Sequence, residues 1–300
     1  MERDPGDWRQ EYPISLIPYP MNGYRLVVAD IDGTLVTRTR EITPGVLSAV
    51  RAAQSQGVLV CLATGRIWLS ARQYFERLGA DPPAILYNGG LVYDFRTGTV
   101  LRRIHLDYEH ARAVLEILRE VPEVQPHLYA GDRVYTGRVN DLTDRYRRKD
   151  SLHVEEVGDL VAFLPRDPMK ILIIGARPDL EHAVARIQTI PMPINTVFSE
   201  ETYLEILPVG SSKGVALEFV AARLEVPLSQ VIAVGDNLND LEMLRTAGLG
   251  VAMGNAPEAV RTAADVVTRT NDEEGLRDVI ERFVLHGEQV PQEQRRGRHA

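Results

Sequence analysis

Short apolar segments alternate with amphipathic helical segments in the first 90 residues, and the same alternation returns after residue 213. The apolar runs at 24–29, 58–63 and 84–87 have the length of strands that are buried on both faces. Between the first two runs, Thr43 and Pro44 predict a helix start, because they supply an N-cap and a proline at the first helical position. This βαβαβ order predicts an α/β fold with a doubly wound, Rossmann-like parallel sheet.

A different pattern interrupts the alternation in the middle of the chain. Residues 91–94 and 99–104 flank a turn-like segment, and mixed helices and strands follow up to about residue 208. We therefore predict a discontinuous core domain at 23–90 plus 209–285, with an α+β domain inserted at 91–208. Residues 1–22 contain four prolines and are expected to form an irregular arm, and the polar residues 286–300 a disordered tail.

Composition narrows the class of protein. The net charge of −8 disfavours nucleic acid as a partner, because sequence-independent binding needs clustered basic charge. The single cysteine, Cys61, lies in an apolar run and is predicted to be a core residue. No apolar stretch approaches the roughly 20 residues of a membrane span, and the N-terminus is polar and acidic rather than signal-like. The expectation is a soluble cytoplasmic protein that acts on a small molecule.

Two acidic clusters follow predicted buried strands. Asp30 and Asp32 come directly after the first strand, and Asp236 and Asp240 follow the strand expected at 231–234. In open parallel sheets, ligands bind beyond the carboxyl ends of the strands. An Asx-rich turn or a capped helix start explains either cluster singly, but not both at matching strand ends. Because Mg²⁺ prefers oxygen ligands, the pair of clusters indicates a magnesium site.

Two further motifs lie at ends of elements. Thr64 and Gly65 end the second strand, where a hydroxyl and a backbone N–H can hold a phosphate oxygen. Lys213 begins a helix, although a cation is unfavourable at a helix N-terminus, so an anionic partner is expected beside it.

The order and context of these four motifs resemble the haloacid dehalogenase superfamily of phosphohydrolases. Three further segments resemble its Cof-type branch (subfamily IIB), which carries a large α/β cap of the C2B type in the place of the insertion seen here: Asn88-Gly89-Gly90, Val251-Ala252-Met253-Gly254-Asn255-Ala256 and Asn271-Asp272-Glu273-Glu274-Gly275. The resemblance covers about residues 24–284 and includes every catalytic position.

The resemblance implies specific roles. Asp30 is expected to be the nucleophile that forms an aspartyl-phosphate, and Asp32 the general acid and base. Thr64 and Lys213 are expected to hold phosphoryl oxygens. Mg²⁺ is expected to be held by Asp30, Asp236 and the backbone carbonyl of Asp32, with Asp240 and Asn239 acting nearby. Substrate contacts are expected from Gly65, Arg66, Asn88, Gly89 and Asn239, although Arg66 could equally form a structural ion pair.

Three functions stay open. A phosphatase for small phosphate monoesters, sugar phosphates first among them, is favoured. A phosphotransferase or phosphomutase would use the same aspartyl-phosphate, and a non-catalytic binding protein could share the scaffold. Substrate choice is expected to depend on the inserted domain, where the polar candidates are His127, Arg133, Tyr135, Arg138 and Arg145.

Overall fold

The computed structural model of the protein describes residues 23–80, 82–150 and 152–290. The predicted arm at 1–22 and the part of the predicted tail at 291–300 lie outside the described residues.

Strands and helices follow one another as the sequence patterns predict over most of the chain. The strands are β1 (Leu26–Ala29), β2 (Leu59–Leu62), β3 (Ala84–Leu86), β4 (Leu91–Asp94), β5 (Thr99–Arg103), β6 (Gln125–Ala130), β7 (Arg133–Thr136), β8 (Val154–Glu156), β9 (Pro168–Ile174), β10 (Asn195–Glu200), β11 (Tyr203–Leu207), β12 (Val231–Gly235), β13 (Leu249–Ala252) and β14 (Val266–Val267). The helices are α1 (Pro44–Ser55), α2 (Trp68–Leu78), α3 (Tyr108–Leu118), α4 (Asp141–Asp150), α5 (Leu160–Phe163), α6 (Arg177–Ile187), α7 (Lys213–Arg223), α8 (Leu241–Thr246), α9 (Glu258–Ala263) and α10 (Gly275–Val279), which continues as a π-helical segment at Ile280–Leu285. The sequence patterns did not predict β8, α5 and α9.

The core contains a five-stranded parallel sheet in the order β14-β13-β12-β1-β2. Val27 and Ala29 face one side, where α1, α2 and α10 pack, and Leu26 and Val28 face the other, where α7, α8 and α9 pack. Burial on both faces explains why these strands are continuous apolar runs. The predicted doubly wound fold is therefore confirmed. Thr43 caps α1 as expected, since its side chain accepts from the backbone N–H of Val46.

The β4–β5 hairpin lies beside the core, although the sequence pattern assigned it to the inserted domain. β3 pairs antiparallel with β4 and touches the end of β2 through a single parallel bridge between Ala63 and Ile85. Val92 packs in the same cluster as α7, and Arg102 donates to the backbone oxygen of Val215 at 3.4 Å. The separate sheet of the insertion therefore begins after this hairpin; the other domain limits stay predictions.

The insertion forms a six-stranded sheet in the order β10-β11-β9-β6-β7-β8. One face is covered by α3, α5 and α6, and it buries Ile171, Ile173, Leu204 and Ile206. Side chains alternate along a strand, so Lys170, Leu172, Tyr203 and Glu205 point to the opposite face. That face looks onto the carboxyl edge of the core sheet, and the six strands with their helices are called the cap below.

Two expectations concern the chain as a whole. Cys61 is fully buried and donates to the backbone oxygen of Pro83 at 2.9 Å, and burial raises the pKa of its thiol to about 12, so it is a core residue. Within the part of the chain that the structure describes, no helix is long and apolar enough to cross a membrane.

Candidate active site

Four chain segments meet at the carboxyl edge of the core sheet. β1 and β12 are hydrogen-bonded neighbours, with Ala29 beside Val234, so the residues that follow them emerge side by side. Lys213, at the start of α7, reaches between them. Its Nζ donates to Oδ1 of Asp30 at 2.7 Å and to Oδ1 of Asp240 at 2.5 Å, and its side chain is fully buried. The expected anionic partners of Lys213 are thus two carboxylates of the same chain.

Asp236 stands beside this pair and is held from two directions. Thr34 donates to its Oδ1 at 2.9 Å. Oδ2 of Asp240 accepts the backbone N–H groups of Asp236 and Asn237, each at 2.9 Å, which fixes the turn after β12. A Cβ on Gly33 would lie 2.2 Å from an oxygen of Asp236, so the backbone passes this carboxylate more closely than any other residue type allows.

Negative charge exceeds positive charge in this cluster. Asp30, Asp236 and Asp240 each place a carboxylate oxygen within 4.8 Å of the others, around the single ammonium of Lys213. Burial raises the pKa of Asp30 to about 7, although Lys213 opposes the shift, and burial with the neighbouring carboxylates raises the pKa of Asp236 well above its usual range. Burial alone lowers the pKa of Lys213, but its two carboxylate partners outweigh this and raise it. A divalent cation would relieve this excess, and three carboxylates are the ligand chemistry that suits Mg²⁺.

Asp32 lies outside the cluster because Arg66 holds its carboxylate. Nε and Nη2 of Arg66 donate to the two oxygens of Asp32 at 2.6 and 2.7 Å. Burial acts to raise the pKa of Asp32, but the hydrogen bonds and charge of Arg66 outweigh burial and lower it. The carboxylate of Asp32 therefore does not join the three clustered aspartates, and its predicted part in metal binding is left to the backbone carbonyl. Arg66 also contacts the face of Tyr74, with 5.3 Å to the ring centroid.

Thr64 is buried at the end of β2, and its hydroxyl accepts the backbone N–H of Arg66 at 3.1 Å. Gly65 lines the same cavity as Asp30. Asn88 joins two distant groups, since its Oδ1 accepts from Asn239 and its Nδ2 donates to Glu205, both at 2.9 Å.

Gly89 has a backbone φ of 95° and presses against α7. A Cβ there would lie 2.0 Å from the backbone oxygen of Ser212. Gly89 therefore has a steric reason to be glycine. It was predicted to bind substrate, but it does not line the cavity that contains Asp30.

The cap closes over this edge and encloses a cavity of about 240 Å³. Asp30, Asp32, Thr64, Asp236 and Asn239 line its floor. The cap side is lined by aromatic, apolar and charged groups: Tyr129, Tyr146, Leu152, Lys170, Leu172, Ser199, Glu200, Tyr203 and Glu205. Sequence reasoning singled out none of these. Lys170 and Glu205 did leave a signal, because each is a charged residue inside an otherwise apolar strand.

The five cap residues proposed from sequence lie elsewhere, outside the lining of this cavity. Arg133 lines a neighbouring outer cavity of about 590 Å³ and lies 3.6 Å from Glu155. Tyr135 packs on Phe163, while Arg138 and Arg145 are exposed.

His127 is buried against Tyr146 and Thr143, with its Nε2 at 3.0 Å from the Thr143 hydroxyl. Burial lowers its pKa to about 4, so it is a neutral packing residue. Polar type alone did not identify the cap residues that face the core, because strand alternation and cap docking decide which side chains point there.

The site therefore combines a lysine-paired aspartate and a cluster of carboxylates at the carboxyl edge of a doubly wound core, beneath the cap. The chain belongs to the haloacid dehalogenase-like hydrolase family, which it matches over residues 27–280. Its resemblance to the Cof-type branch is confirmed, and it is an enzyme of the phosphoric monoester hydrolase class.

The match with similar proteins extends over almost the full length of those proteins. Phosphatase YwpJ of Bacillus subtilis is 30% identical, with 87% of this chain and 100% of the relative covered. Pyridoxal phosphate phosphatase YbhA of Escherichia coli is 28% identical, with 85% and 97% covered. The crystal structure of a haloacid dehalogenase-like hydrolase from Bacteroides thetaiotaomicron is 29% identical, with a TM-score of 0.77 and 87% and 99% covered.

Proposed function

We propose that the protein is a magnesium-dependent phosphatase that hydrolyses small phosphate monoesters through an aspartyl-phosphate on Asp30. The observation that carries the proposal is the position of Asp30. It directly follows β1, its carboxylate accepts a hydrogen bond from the buried Lys213, and it lines the floor of the cavity. An anionic nucleophile can approach a phosphate dianion only if cations screen both charges. Lys213 provides one such cation.

The reaction has two steps in this proposal. A carboxylate oxygen of Asp30 forms a bond to phosphorus while the bond from phosphorus to the leaving oxygen breaks, and Asp32 gives that oxygen a proton. Water then attacks the aspartyl-phosphate, its proton passes to Asp32, and phosphate departs from the regenerated Asp30. Each oxygen of Asp32 accepts one hydrogen bond from Arg66 and keeps a second lone pair on which a proton can be taken up. Because Arg66 lowers the pKa of Asp32, the first step requires that Asp32 gain a proton before it can give one to the leaving oxygen.

The metal would be held by Asp30, Asp236 and the backbone carbonyl of Asp32. When bound, Mg²⁺ supplies positive charge to the phosphoryl oxygens and neutralises the excess of the cluster. Asp240 has a different part, since one of its oxygens accepts from Lys213 and the other from two backbone N–H groups. It orients Lys213 and the turn that carries Asp236.

Phosphate recognition is assigned to Thr64, Gly65 and Asn239, which line the same cavity as Asp30, and to Lys213, which contacts Asp30 directly. The leaving group would face the cap, where Tyr203 offers a ring and Ser199 a hydroxyl. Sugar phosphates and ring-bearing esters such as pyridoxal phosphate therefore both belong in a substrate panel. A phosphotransferase would use the same site and differ only in its acceptor.

The test is phosphate release from this panel, with MgCl₂ or with EDTA, by wild type, Asp30→Asn and Asp167→Asn. Asp167 is an exposed cap residue and serves as the matched control. We expect release that requires Mg²⁺, is lost in Asp30→Asn and persists in Asp167→Asn. Acid quenching during turnover should trap labelled phosphate on wild type and not on Asp30→Asn. Equal activity of wild type and Asp30→Asn would refute the nucleophile, and transfer to added sugar acceptors would identify a phosphotransferase.

A further inference from the structure

Lys170 and Glu205 form an ion pair in the interface between the cap and the core. Nζ of Lys170 donates to Oε2 of Glu205 at 2.8 Å, and the side chains are only 3% and 4% exposed. Every residue of β9 is buried, and Lys170 is the charged one among them. Burying two charges costs several kcal/mol each unless the geometry and additional hydrogen bonds compensate. A pair used only to fold the cap could be replaced by apolar residues at little cost.

Each member of the pair has a second partner on the core. Nζ of Lys170 also donates to the backbone oxygen of Gly65 at 2.9 Å. Glu205 accepts from Asn88 at 2.9 Å, and Asn88 in turn accepts from Asn239 at 2.9 Å. One buried cap pair therefore connects to three core loops: the loop after β2, the loop after β3 and the turn after β12.

These loops carry the groups assigned to phosphate and metal. Gly65 lies between Thr64 and Arg66, so the position of its carbonyl limits how the Thr64 hydroxyl is presented. Asn239 directly precedes Asp240, which orients Lys213. The connection runs from the cap to residues that contact the reacting groups, but neither Lys170 nor Glu205 contacts Asp30 in the hydrogen bonds of the described residues.

Aromatic rings fix the pair in place. The ammonium of Lys170 lies 4.7 Å from the ring centroid of Tyr129 on the cap and 6.0 Å from that of Tyr87 on the core. The Tyr87 hydroxyl donates to the cap at the backbone oxygen of Gly131, at 3.1 Å. The ammonium is thus held between both parts of the molecule, where a shift of the cap would change its bond to Gly65.

We propose that Lys170 and Glu205 are positioning residues for phosphoryl transfer: they hold Gly65 directly, and Asn239 through Asn88, in the geometry that the reaction needs. This inference rests on the proposed function. It predicts that the docked cap completes the phosphate site by ordering core loops, in addition to enclosing the substrate. A misplacement of about 1 Å at such a site costs on the order of 100-fold in rate.

The test compares Lys170→Met, Glu205→Leu and the double variant with wild type, in kcat, KM and Tm. Each single variant leaves one buried charge without its partner and should lower both Tm and kcat, the latter about 10- to 100-fold. The double variant removes both charges, so its Tm should recover. Its kcat should stay low, because Gly65 and Asn88 still lack their cap partners, and KM should change less than kcat. Arg119→Met, which breaks a half-exposed ion pair with Asp159 inside the cap, is the control and should match wild type.

The separation of stability from turnover decides the outcome, and the double variant keeps the test valid if a single variant does not fold. If the double variant regains both Tm and kcat, the pair only holds the cap together and the inference is wrong. Folded single variants with wild-type kcat would also overturn it. Failure of the proposed function looks different: wild type would show no Mg²⁺-dependent release, or Asp30→Asn would retain it.

Discussion

Replacing Lys213 with methionine should reveal how strongly the carboxylates of the site repel one another. The methionine side chain has a similar length, and it removes the ammonium that bridges Asp30 and Asp240 at 2.7 and 2.5 Å. Lys213 is 1% exposed, so solvent screens neither contact. Removing one partner of a buried ion pair costs about 3–5 kcal/mol, because the other charge stays buried and unpaired. We expect a loss of that size in the free energy of unfolding of metal-free protein at pH 8.

The loss should depend on pH with a definite sign. The pKa of Asp30 is raised in the folded protein to about 7 from 3.8, so its contribution to stability is present below pH 4 and is lost as pH rises towards 7. Without Lys213 the pKa of Asp30 rises further, so the loss of folding stability that comes from ionising this buried carboxyl continues to higher pH. The difference between wild type and Lys213→Met should therefore be smaller at pH 5 than at pH 8.

Urea unfolding of both proteins at pH 5 and pH 8, with EDTA and with MgCl₂, measures this. Mg²⁺ should restore part of the stability of the variant at pH 8, because a ligand that binds only the folded state stabilises it. Arg245→Met, another basic-to-methionine change on a neighbouring core helix, is a control for the loss of one positive charge. Equal losses at both pH values, or a loss below about 1 kcal/mol at pH 8, would refute the electrostatic account of the site.

Three further outcomes follow from particular contacts. Gly33→Ala should abolish most Mg²⁺-dependent turnover and weaken Mg²⁺ binding measured by calorimetry, because its Cβ would lie 2.2 Å from Asp236 at a backbone φ of 77°; unchanged affinity would contradict this. Arg66→Lys should slow esters with poor leaving groups about 10-fold and p-nitrophenyl phosphate less, since lysine loses the two-pronged contact that orients the proposed acid Asp32; equal slowing of both substrates would argue against that role. Because burial lowers the pKa of His127 to about 4, the unfolded chain binds its proton first as pH falls below about 6.5. In urea titrations, the free energy of unfolding of wild type should thus fall by about 2 kcal/mol between pH 7 and pH 5, and that of His127→Gln should not show this decrease. Parallel pH profiles of the two proteins would show that another group is responsible.

Local pattern alone determined the framework of the site. Apolar runs of strand length and capped helical periods predicted the parallel core, and strand ends predicted that Asp30 and Asp236 would be neighbours. This works because residues directly after adjacent parallel strands must emerge at the same edge, whatever the rest of the chain does. The expectation that Lys213 has an anionic partner was also confirmed. The reason is local as well, because a buried ammonium has to be paired wherever its helix starts.

Contacts between distant segments were decided only by the tertiary structure. The β4–β5 hairpin has the local pattern of the insertion, yet pairing with β3 and packing on α7 place it beside the core. Arg66 meets Asp32 across 34 residues, and Glu205 meets Asn88 across 117.

The polar cap residues chosen from sequence do not line the cavity, whereas Lys170 and Glu205 do, and this too was decided by contacts between distant segments. Sequence spacing specifies which face of a strand a side chain occupies, but the docking of one sheet against another specifies what that face meets. The proposed catalytic residues therefore lie at strand ends that sequence can place, whereas the cavity is closed by an interface that sequence periodicity does not encode.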